Sequence, residues 1–528
     1  MKKLLFSLLF LVFFASCISV KKYNEQLINL HAVEDLHDDI DKVYNQLKKH
    51  HPRLYQYTAK EDLDFKFDSL KRSINKAINS REFYRKLAPV VAHVKHGHVN
   101  ISLGGKAFKR KERKELKEKK FEFYDLDFEY LEDRLWVKNS LGKDTSLVGA
   151  EVIRFNKEHV SKLIKTYKKR FTTDGYNTTL HNRHIGKRFI AYYYFDKGYI
   201  DSLQVTFRKN DSLFIRTLKR IPKRENKGLS HKDSLKKLPP QKLSKGQKKT
   251  IKEIAKKRRK DNRKYGYISR RRQYTRNFNL IGKDSTIGYM KLRSFTNGNY
   301  KKFYKDCFAK MDSLKTNYFI LDLRDNSGGR IAEIEKLYSY LIDKEYQFIL
   351  ESEVNSRTPF FKYLLSNTSP NSIKFASGLL SPIIFAHNFI TTKKKNGKLY
   401  YKFGSTKTKK PNPLNYKGKM FVLINGNSFS ASSLISTHLK ATKRATFVGE
   451  ETGGAYNGCV AGIYRVYKLP TSGVKISMGL MQIEAPYKQN PDGYGIKPDI
   501  KVLPKVNDRK SKNDPELNWV LNSIEKLK

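Results

Sequence analysis

Apolar residues recur at helical spacing in the N-terminal part of the chain. Residues 33–50 place apolar side chains on one helical face, at Leu36, Ile40, Val43 and Leu47. Ser80 can cap a second helix, whose apolar face is formed by Phe83, Leu87, Val90 and Val94. Residues 99–103 then alternate like a strand, so His98 is predicted to lie where a helix gives way to a strand.

Short, continuous apolar runs predict the strands of the C-terminal half. They are Ile287–Leu292, Tyr318–Leu323 and Met420–Ile424, and helical patterns occupy residues 300–314 and 331–342 between them. Strands that alternate with helices in this way are typical of a layered α/β domain. The functional loops of such a domain lie at the C-terminal ends of its strands.

Two of these strands are followed by loops of small and polar residues. The first loop contains the pair Gly328 and Gly329, and the second presents Ser430 at the start of a predicted helix. Backbone N–H donors beside a hydroxyl at a helix start are the groups that acyl transfer requires.

Four ordered motifs resemble those of the C-terminal-processing and tricorn-like serine peptidases. They are DLRDNSGG from Asp322, NGNSFSAS from Asn425, VGEETGG from Val448 and GIKPDI from Gly495. Ser433 departs from the family pattern, which has Glu at that place. The resemblance implies a crotonase-like ββα superhelix as the peptidase core and no cofactor. It also implies Ser430 as the nucleophile, with the N–H groups of Gly328, Gly329 and Ala431 as the oxyanion hole.

The resembled family contains two kinds of general base. The C-terminal-processing branch uses a lysine, but Ala455 holds its place here. The tricorn-like branch uses a histidine in a D-G-H-T segment, and residues 96–99 read HGHV, so His98 matches. An unperturbed histidine titrates near neutrality and can accept the serine proton. The resemblance offers Asp492 as the group that orients His98, with Glu450 and Glu451 as alternatives.

His93, His96 and His98 together also raise the question of a metal site. Their spacing differs from that of the zinc motif on two helical turns, and no Glu follows His93 to act as a general base. The expectation is therefore no metal.

The first 17 residues have the pattern of an export signal. Lys2 and Lys3 precede an apolar run, Leu4–Phe14, that is too short to span a membrane. The sequence ASC that ends at Cys17 resembles a lipobox, which implies cleavage before Cys17 and lipidation of its thiol. The alternative is an ordinary secretory signal. The expected location is the cell envelope, with the chain lipid-anchored to a periplasm-facing membrane or the outer membrane.

The chain is strongly basic, with 107 Lys and Arg against 51 Asp and Glu and a formal charge of +56. Such a charge can indicate a nucleic-acid or anionic partner. However, the lysines are spread along the whole chain, and no Cys/His finger or aromatic RNA-binding motif is present. We therefore expect a solvated, lysine-covered surface and no nucleic acid. Apart from Cys17 only two cysteines remain, which make neither a disulfide framework nor a Cys-based metal site.

Composition divides the chain into six predicted segments. They are a signal peptide (1–17), a helical domain carrying His98 (18–120), a β-rich module (121–221), a basic low-complexity insert (222–278), the peptidase core (279–505) and a C-terminal helix or tail (506–528). The insert cannot bury a core and is predicted to be flexible or partly helical. Within the module, residues 147–156 resemble the carboxylate-binding loop of a PDZ-like domain, with its first helix at Val160–Tyr167. That resemblance implies capture of a peptide strand by edge addition; the alternative is an unspecialised spacer.

Three classes of function remain open from the sequence. The first is a lipid-anchored serine endopeptidase that hydrolyses peptides or proteins through an acyl-enzyme on Ser430. The second is a non-catalytic peptide-binding lipoprotein of the same fold, favoured by Ser433 and the altered HGHV segment. The third is a crotonase-type acyl-CoA enzyme, which the export signal disfavours because CoA is cytosolic.

Overall fold

The computed structural model describes residues 19–142, 144–223, 244–282, 284–296 and 298–527. The predicted signal peptide with Cys17, and residues 224–243 of the predicted insert, lie outside the described residues.

The N-terminal domain is built mainly from helices, as predicted. Its elements are α1 (Val20–Ile28), β1 (Leu30–His31), α2 (Val33–His50), α3 (Lys60–Arg72), β2 (Ile78–Asn79), α4 (Ser80–Ala92) and β3 (Asn100–Ser102). The predicted cap of α4 is wrong by one residue. The Asn79 side chain accepts the N–H of Glu82, and the Glu82 carboxylate accepts the N–H of Asn79.

The second unit is a seven-stranded sheet covered by two helices. Its elements are α5 (Arg110–Lys117), β4 (Lys119–Phe121), β5 (Leu126–Leu131), β6 (Arg134–Ser140), β7 (Glu151–Phe155), β8 (Glu158–His159), α6 (Val160–Lys168), α7 (Thr179–Lys197), β9 (Ser202–Lys209) and β10 (Ser212–Pro222). The strand order is β4-β10-β9-β7-β6-β5, with β8 on β7. Helix α6 confirms the prediction at Val160, but the 19-residue α7 was missed, because aromatic residues spread around its surface hide a helical face.

Helix α7 lies against β5, an end strand of this sheet. A Cβ on Gly186 of α7 would lie 2.7 Å from the backbone nitrogen of Tyr130 in β5. A peptide strand could therefore not add beside β5 at this point without a movement of α7. The PDZ-like identity of the module stays a prediction.

A connecting helix and the first core strands follow. These are α8 (Lys245–Tyr265), β11 (Tyr267–Ile268), β12 (Gln273–Tyr274), β13 (Arg276–Ile281), β14 (Ile287–Leu292), α9 (Tyr300–Ser313) and β15 (Tyr318–Asp322). The predicted insert is therefore helical over α8, and the core begins at Arg276 rather than at 279. The Arg276 guanidinium is buried because it stacks on Tyr300 and donates to the carbonyls of Arg263 and Lys264.

The remaining elements complete the core. They are α10 (Ile331–Tyr338), β16 (Tyr346–Gln347), β17 (Ser352–Val354), α11 (Pro359–Leu364), α12 (Asn371–Leu379), α13 (Ser381–Thr391), β18 (Thr392–Lys395), β19 (Lys398–Tyr401), β20 (Thr408–Lys409), β21 (Lys419–Ile424), α14 (Ala431–Ala441), β22 (Thr446–Gly449), β23 (Cys459–Lys468), β24 (Lys475–Ile483), β25 (Ile500–Lys501), α15 (Val506–Lys510) and α16 (Pro515–Glu525).

Two six-stranded sheets organise the core. The first has the order β13-β14-β15-β21-β22-β25, and its strands from β14 to β25 run parallel. The second has the order β18-β19-β17-β24-β23, and β3 of the N-terminal domain pairs antiparallel with β24. The α/β class is thus confirmed, while the crotonase-like superhelix stays a prediction. The strand β3 fixes the N-terminal domain, and the residues just before it, onto the core.

Among the described residues, no single helix is both long and apolar enough to cross a bilayer. One bent pair, α12 and α13 with 73° between their axes, meets the length and composition criterion only when the two helices are taken together.

Candidate active site

The loops that follow β15 and β21 are joined to each other by hydrogen bonds. The Ser428 hydroxyl donates to the carbonyl of Leu323 at 2.8 Å, and the Phe429 N–H donates to the carbonyl of Asn326 at 3.0 Å. The Asn425 side chain accepts the N–H of Asp325. Because β15 and β21 are parallel neighbours, their C-terminal ends meet at one edge of the sheet, and these bonds hold the two motifs as one unit.

Ser430 stands directly before α14 with an unusual backbone. Its φ of 57° and ψ of −119° lie outside the regions that a side-chain-bearing residue ordinarily adopts. A strained residue of this kind persists only where the surroundings hold it, and such residues cluster at functional sites. The hydrogen bonds between the two loops supply that support.

His98 reaches the same place from the N-terminal domain. It lies in the turn between α4 and β3, as predicted, and the pairing of β3 with β24 holds this turn against the core. Its ring stacks on Phe429, with 4.8 Å between centroids. Gly97 permits this contact, since a Cβ there would lie 2.6 Å from the Phe429 ring.

The structure brings Ser430 and His98 into hydrogen-bond contact. The distance between Ser430 Oγ and His98 Nε2 is 3.0 Å, across 332 residues of sequence. Burial lowers the pKa of His98 to about 4, so the imidazole is neutral near pH 7 and can accept a proton. A serine hydroxyl with a neutral imidazole at this distance is the arrangement of an activated nucleophile.

The other histidines of this segment have different partners. His96 Nε2 lies 2.8 Å from the carbonyl oxygen of Arg53, and its ring contacts those of His51 and Tyr57. His93 is exposed on the surface. Neither residue joins Ser430.

The structure changes the set of donors that could form the predicted oxyanion hole. The N–H of Gly328 already donates to Asn326 Oδ1 at 2.9 Å, so this predicted donor is wrong. In the described part of the chain no hydrogen bond engages the N–H groups of Gly329 and Ala431. Gly328 acts instead through its lack of a side chain, since a Cβ there would lie 2.8 Å from the Ala431 nitrogen and from Ser430 Cβ.

The carboxylates proposed to orient His98 bind elsewhere. The Asp492 prediction is wrong, because its carboxylate accepts from the Gln56 side chain at 2.8 Å and from the N–H of Gly493 at 2.7 Å. Glu450 accepts from Arg183 at 2.7 Å. Glu451 accepts from the N–H of Gly495 at 2.7 Å.

Asp174 is the carboxylate that lies beside His98, and sequence reasoning missed it. A ring nitrogen of His98, an oxygen of Asp174 and the sulfur of Cys459 all lie within 4.8 Å of one another. Within the described residues, His98 Nδ1 and Asp174 Oδ2 are both buried without a hydrogen-bond partner. Such orphaned buried groups are uncommon and call for an explanation.

The Asp174 loop is held by the segments that surround it. The N–H of Gly97 donates to Asp174 Oδ1 at 2.7 Å. The neighbouring Gly175, at φ 73°, donates its N–H to the carbonyl of Lys95, and its Cα approaches Gly493 too closely for a side chain. Burial raises the pKa of Asp174 to about 7.

A pocket of about 450 Å³ opens beside Ser430. Ser430, Ala431, Gly329, Asp174 and Cys459 line its polar part. Its apolar part is formed by Phe360, Phe403, Leu434, Ile463 and Tyr464. The site can therefore present a reacting carbonyl to Ser430 while an apolar side chain of the same molecule is buried.

These features define a class, an α/β protein with a serine hydroxyl, an imidazole in hydrogen-bond contact with it and backbone donors at one edge of a parallel sheet. Comparison with known proteins supports the resemblance found in the sequence. Residues 286–502 match the model of peptidase family S41, which confirms the resemblance to C-terminal-processing serine peptidases.

A curated relative and two solved structures are similar to this chain. "Carboxyl-terminal-processing peptidase 2, chloroplastic" of Arabidopsis thaliana is 25% identical over 213 residues, which cover 40% of this chain and 31% of the relative. The structure of mature CPAF complexed with lactacystin has a TM-score of 0.60 at 14% identity and covers 94% of this chain and 98% of its own. The crystal structure of mature CPAF has a TM-score of 0.58 at 14% identity, with 94% and 97% covered. At these identities the two structures establish the fold alone.

Proposed function

We propose that this protein is a serine-type peptidase that hydrolyses peptide bonds through an acyl-enzyme on Ser430. The observation that carries the proposal is the 3.0 Å contact between Ser430 Oγ and His98 Nε2. The two residues lie 332 positions apart in sequence, and Ser430 lies within residues 286–502, which match the model of peptidase family S41. The geometry does not favour the non-catalytic alternative, because the hydroxyl, the imidazole and two backbone donors without a partner among the described residues are all present.

The proposed reaction proceeds in two halves. In the first half Ser430 Oγ bonds to the carbonyl carbon of the substrate and His98 Nε2 accepts the serine proton. The N–H groups of Ala431 and Gly329 stabilise the oxyanion, and loss of one such donor typically costs about 3–4 kcal/mol of barrier. Collapse of the intermediate breaks the C–N bond, and the leaving amine takes the proton from His98. In the second half water attacks the ester, with His98 again as the base.

We also infer that Asp174 positions His98. An ionised Asp174 would accept the Nδ1–H of His98, directly after a small closure or through one water molecule. This hydrogen bond would leave Nε2 free to accept the serine proton and would stabilise the imidazolium that forms. The inference rests on His98 Nδ1 and Asp174 Oδ2, which are both buried without a hydrogen-bond partner among the described residues. The nitrogen can donate a hydrogen bond and the oxygen can accept one.

The proposed substrates are peptides or unfolded protein segments. The apolar lining of the pocket favours an apolar side chain next to the scissile bond. Capture of a peptide by the module at residues 121–221 remains part of the proposal, but the contact of Gly186 with β5 means that α7 would have to move to admit a strand there.

Labelling with a fluorophosphonate probe tests the nucleophile. We expect the probe to label the wild-type chain and Ser432→Ala, and to leave Ser430→Ala unlabelled and inactive on a casein substrate. Ser432 is a matched control because its buried hydroxyl, two residues away, has no hydrogen-bond partner among the described residues. Ser428 is a poorer control because its hydroxyl joins the two motif loops. Labelling of folded Ser430→Ala, or no labelling of folded wild type, would refute the proposal.

A further inference from the structure

The helices α11, α12 and α13 form a projection that is unusually apolar on its outside. Over residues 371–391, eight large apolar side chains are exposed, with Ile390 at 73% and Leu379 at 69%. The other six are Ile373, Phe375, Leu380, Ile383, Phe385 and Phe389. Soluble proteins rarely leave a contiguous apolar surface of this kind uncovered, so it indicates a binding surface.

The unpaired charges of this apolar projection have one sign. After Glu353 the next acidic residue along the chain is Glu450, so residues 354–449, which include the whole projection, contain no carboxylate. Lys395 and Lys398, at its base, pair with Glu351 and Glu353. In the described part of the chain, Lys374, Lys393 and Lys394 form no ion pair, so each adds an unpaired positive charge to this segment.

This combination of apolar and basic groups fits an anionic membrane better than a second copy of the chain. A second copy of the chain would bring the same lysines together across a twofold contact, where like charges repel. A bilayer with anionic lipid offers apolar chains beneath a layer of negative headgroups, which complements both parts of the surface. We propose that α12 and α13 insert into the interface of an anionic membrane.

Helix length sets the depth of this insertion. With 9 and 11 residues, α12 and α13 are roughly 14 and 17 Å long, about half of the apolar thickness of a bilayer. The 73° bend between them prevents the two from forming one continuous rod. The pair therefore lies within one leaflet, with Lys393 and Lys394 at the headgroups.

The insertion would place the active site next to the membrane. Helix α11 leads into the pair, and its residue Phe360 lines the pocket beside Ser430. A segment that emerges from the bilayer surface would then reach Ser430 without crossing bulk water.

Tryptophan fluorescence reports on the helix that carries the indole. It therefore tests the inference independently of any lipid anchor at the N-terminus. Phe385→Trp places an indole on the exposed surface of α13, and Ile215→Trp places one on β10, where Ile215 is also exposed. We expect vesicles that contain phosphatidylglycerol to shift the Phe385→Trp emission to the blue and brominated lipid to quench it. The Ile215→Trp emission should not change. Lys393→Gln with Lys394→Gln should weaken the partition into these vesicles by about tenfold or more, and should matter little with phosphatidylcholine alone.

Two outcomes would overturn the inference. One is a Phe385→Trp emission that vesicles leave unchanged in the folded protein. The other is a blue-shifted emission without vesicles that grows with protein concentration and accompanies a dimer in sedimentation velocity. That second result would assign the surface to another copy of the chain.

Discussion

At the residue scale, the candidate site contains two groups with shifted pKa values. Burial lowers the pKa of His98 to about 4 and raises that of Asp174 to about 7. The first shift keeps the base free of protons near neutral pH. The second makes the charge of its neighbour depend on pH in the physiological range. With an unperturbed histidine, the pH dependence of the rate would follow the ionisation of His98. With these shifted pKa values, we expect it to follow the ionisation of Asp174.

Activity should therefore rise with pH as Asp174 loses its proton. We expect kcat/KM to increase through an apparent pKa near 7, because only the carboxylate can accept Nδ1–H. The other titratable groups facing Asp174 are Cys459, Tyr57 and Tyr464, whose pKa values burial raises, so they stay neutral there. Asp174→Asn should lower kcat by about 10³–10⁴-fold and remove this rise.

The Asp174 experiment has its own controls. Asp174→Glu, which keeps the charge, should recover part of kcat. Because burial disfavours the charged carboxyl, Asp174→Asn should not lower the melting temperature at pH 8. If Asp174→Asn is still labelled by the fluorophosphonate probe and keeps the wild-type pH profile, Asp174 has no part in the mechanism. That result would not contradict the role of Ser430. Inhibition by a chelator would instead point to a metal at this cluster.

The sequence predicted Ser430 and His98 because each lies in a motif with its own local pattern. It missed Asp174, which sits in TTDGYN between two helices of the second unit. An Asp-Gly pair there indicates only a turn. Its importance comes from burial against Gly97 and Gly493, contacts made between distant segments that no local pattern contains. The Asp492 prediction fails for the opposite reason: it rests on a position in a motif, and the motif does not contain the partner Gln56.

At the scale of elements, the site is assembled from loops whose backbones touch. Strands β15 and β21 were predicted from their apolar runs, because a strand buried on both faces leaves a strong signal. The long α7 was not predicted, and neither was the loop that precedes it. That loop carries Asp174 and packs against both the His98 turn and the residues near Gly493.

The packing of the Asp174 loop can be tested at Gly175. A Cβ there would lie 2.3 Å from the Cα of Gly493, and φ is 73°. Gly175→Ala should push the loop away from His98 and lower kcat by about tenfold or more, with KM for a short peptide little changed. Gly149→Ala is the matched control, since φ is 82° but the space is open. Equal kinetic losses in both variants would mean that backbone strain, and not loop position, is responsible.

At the scale of the whole molecule, the chain should have two attachments to a membrane. The predicted lipid on Cys17 is one, and the apolar pair α12 and α13 is the other. Cys17→Ala should therefore release the protein from membranes only partly at low salt and more fully at high salt, where the lysine contribution is screened. Mass spectrometry of the mature N-terminus is the companion measurement. A chain that begins elsewhere without a lipid would contradict the first attachment.

The pairing of β3 with β24 has a consequence for the newly made chain. His98 leaves the ribosome early, Ser430 follows 332 residues later, and β24 emerges only after both. Until Lys475–Ile483 is available, the strand pairing that holds the histidine turn against the core cannot form. A nascent chain therefore carries a complete serine loop but no assembled catalytic pair. The order of synthesis itself therefore delays this pairing until almost all of the chain has been translated.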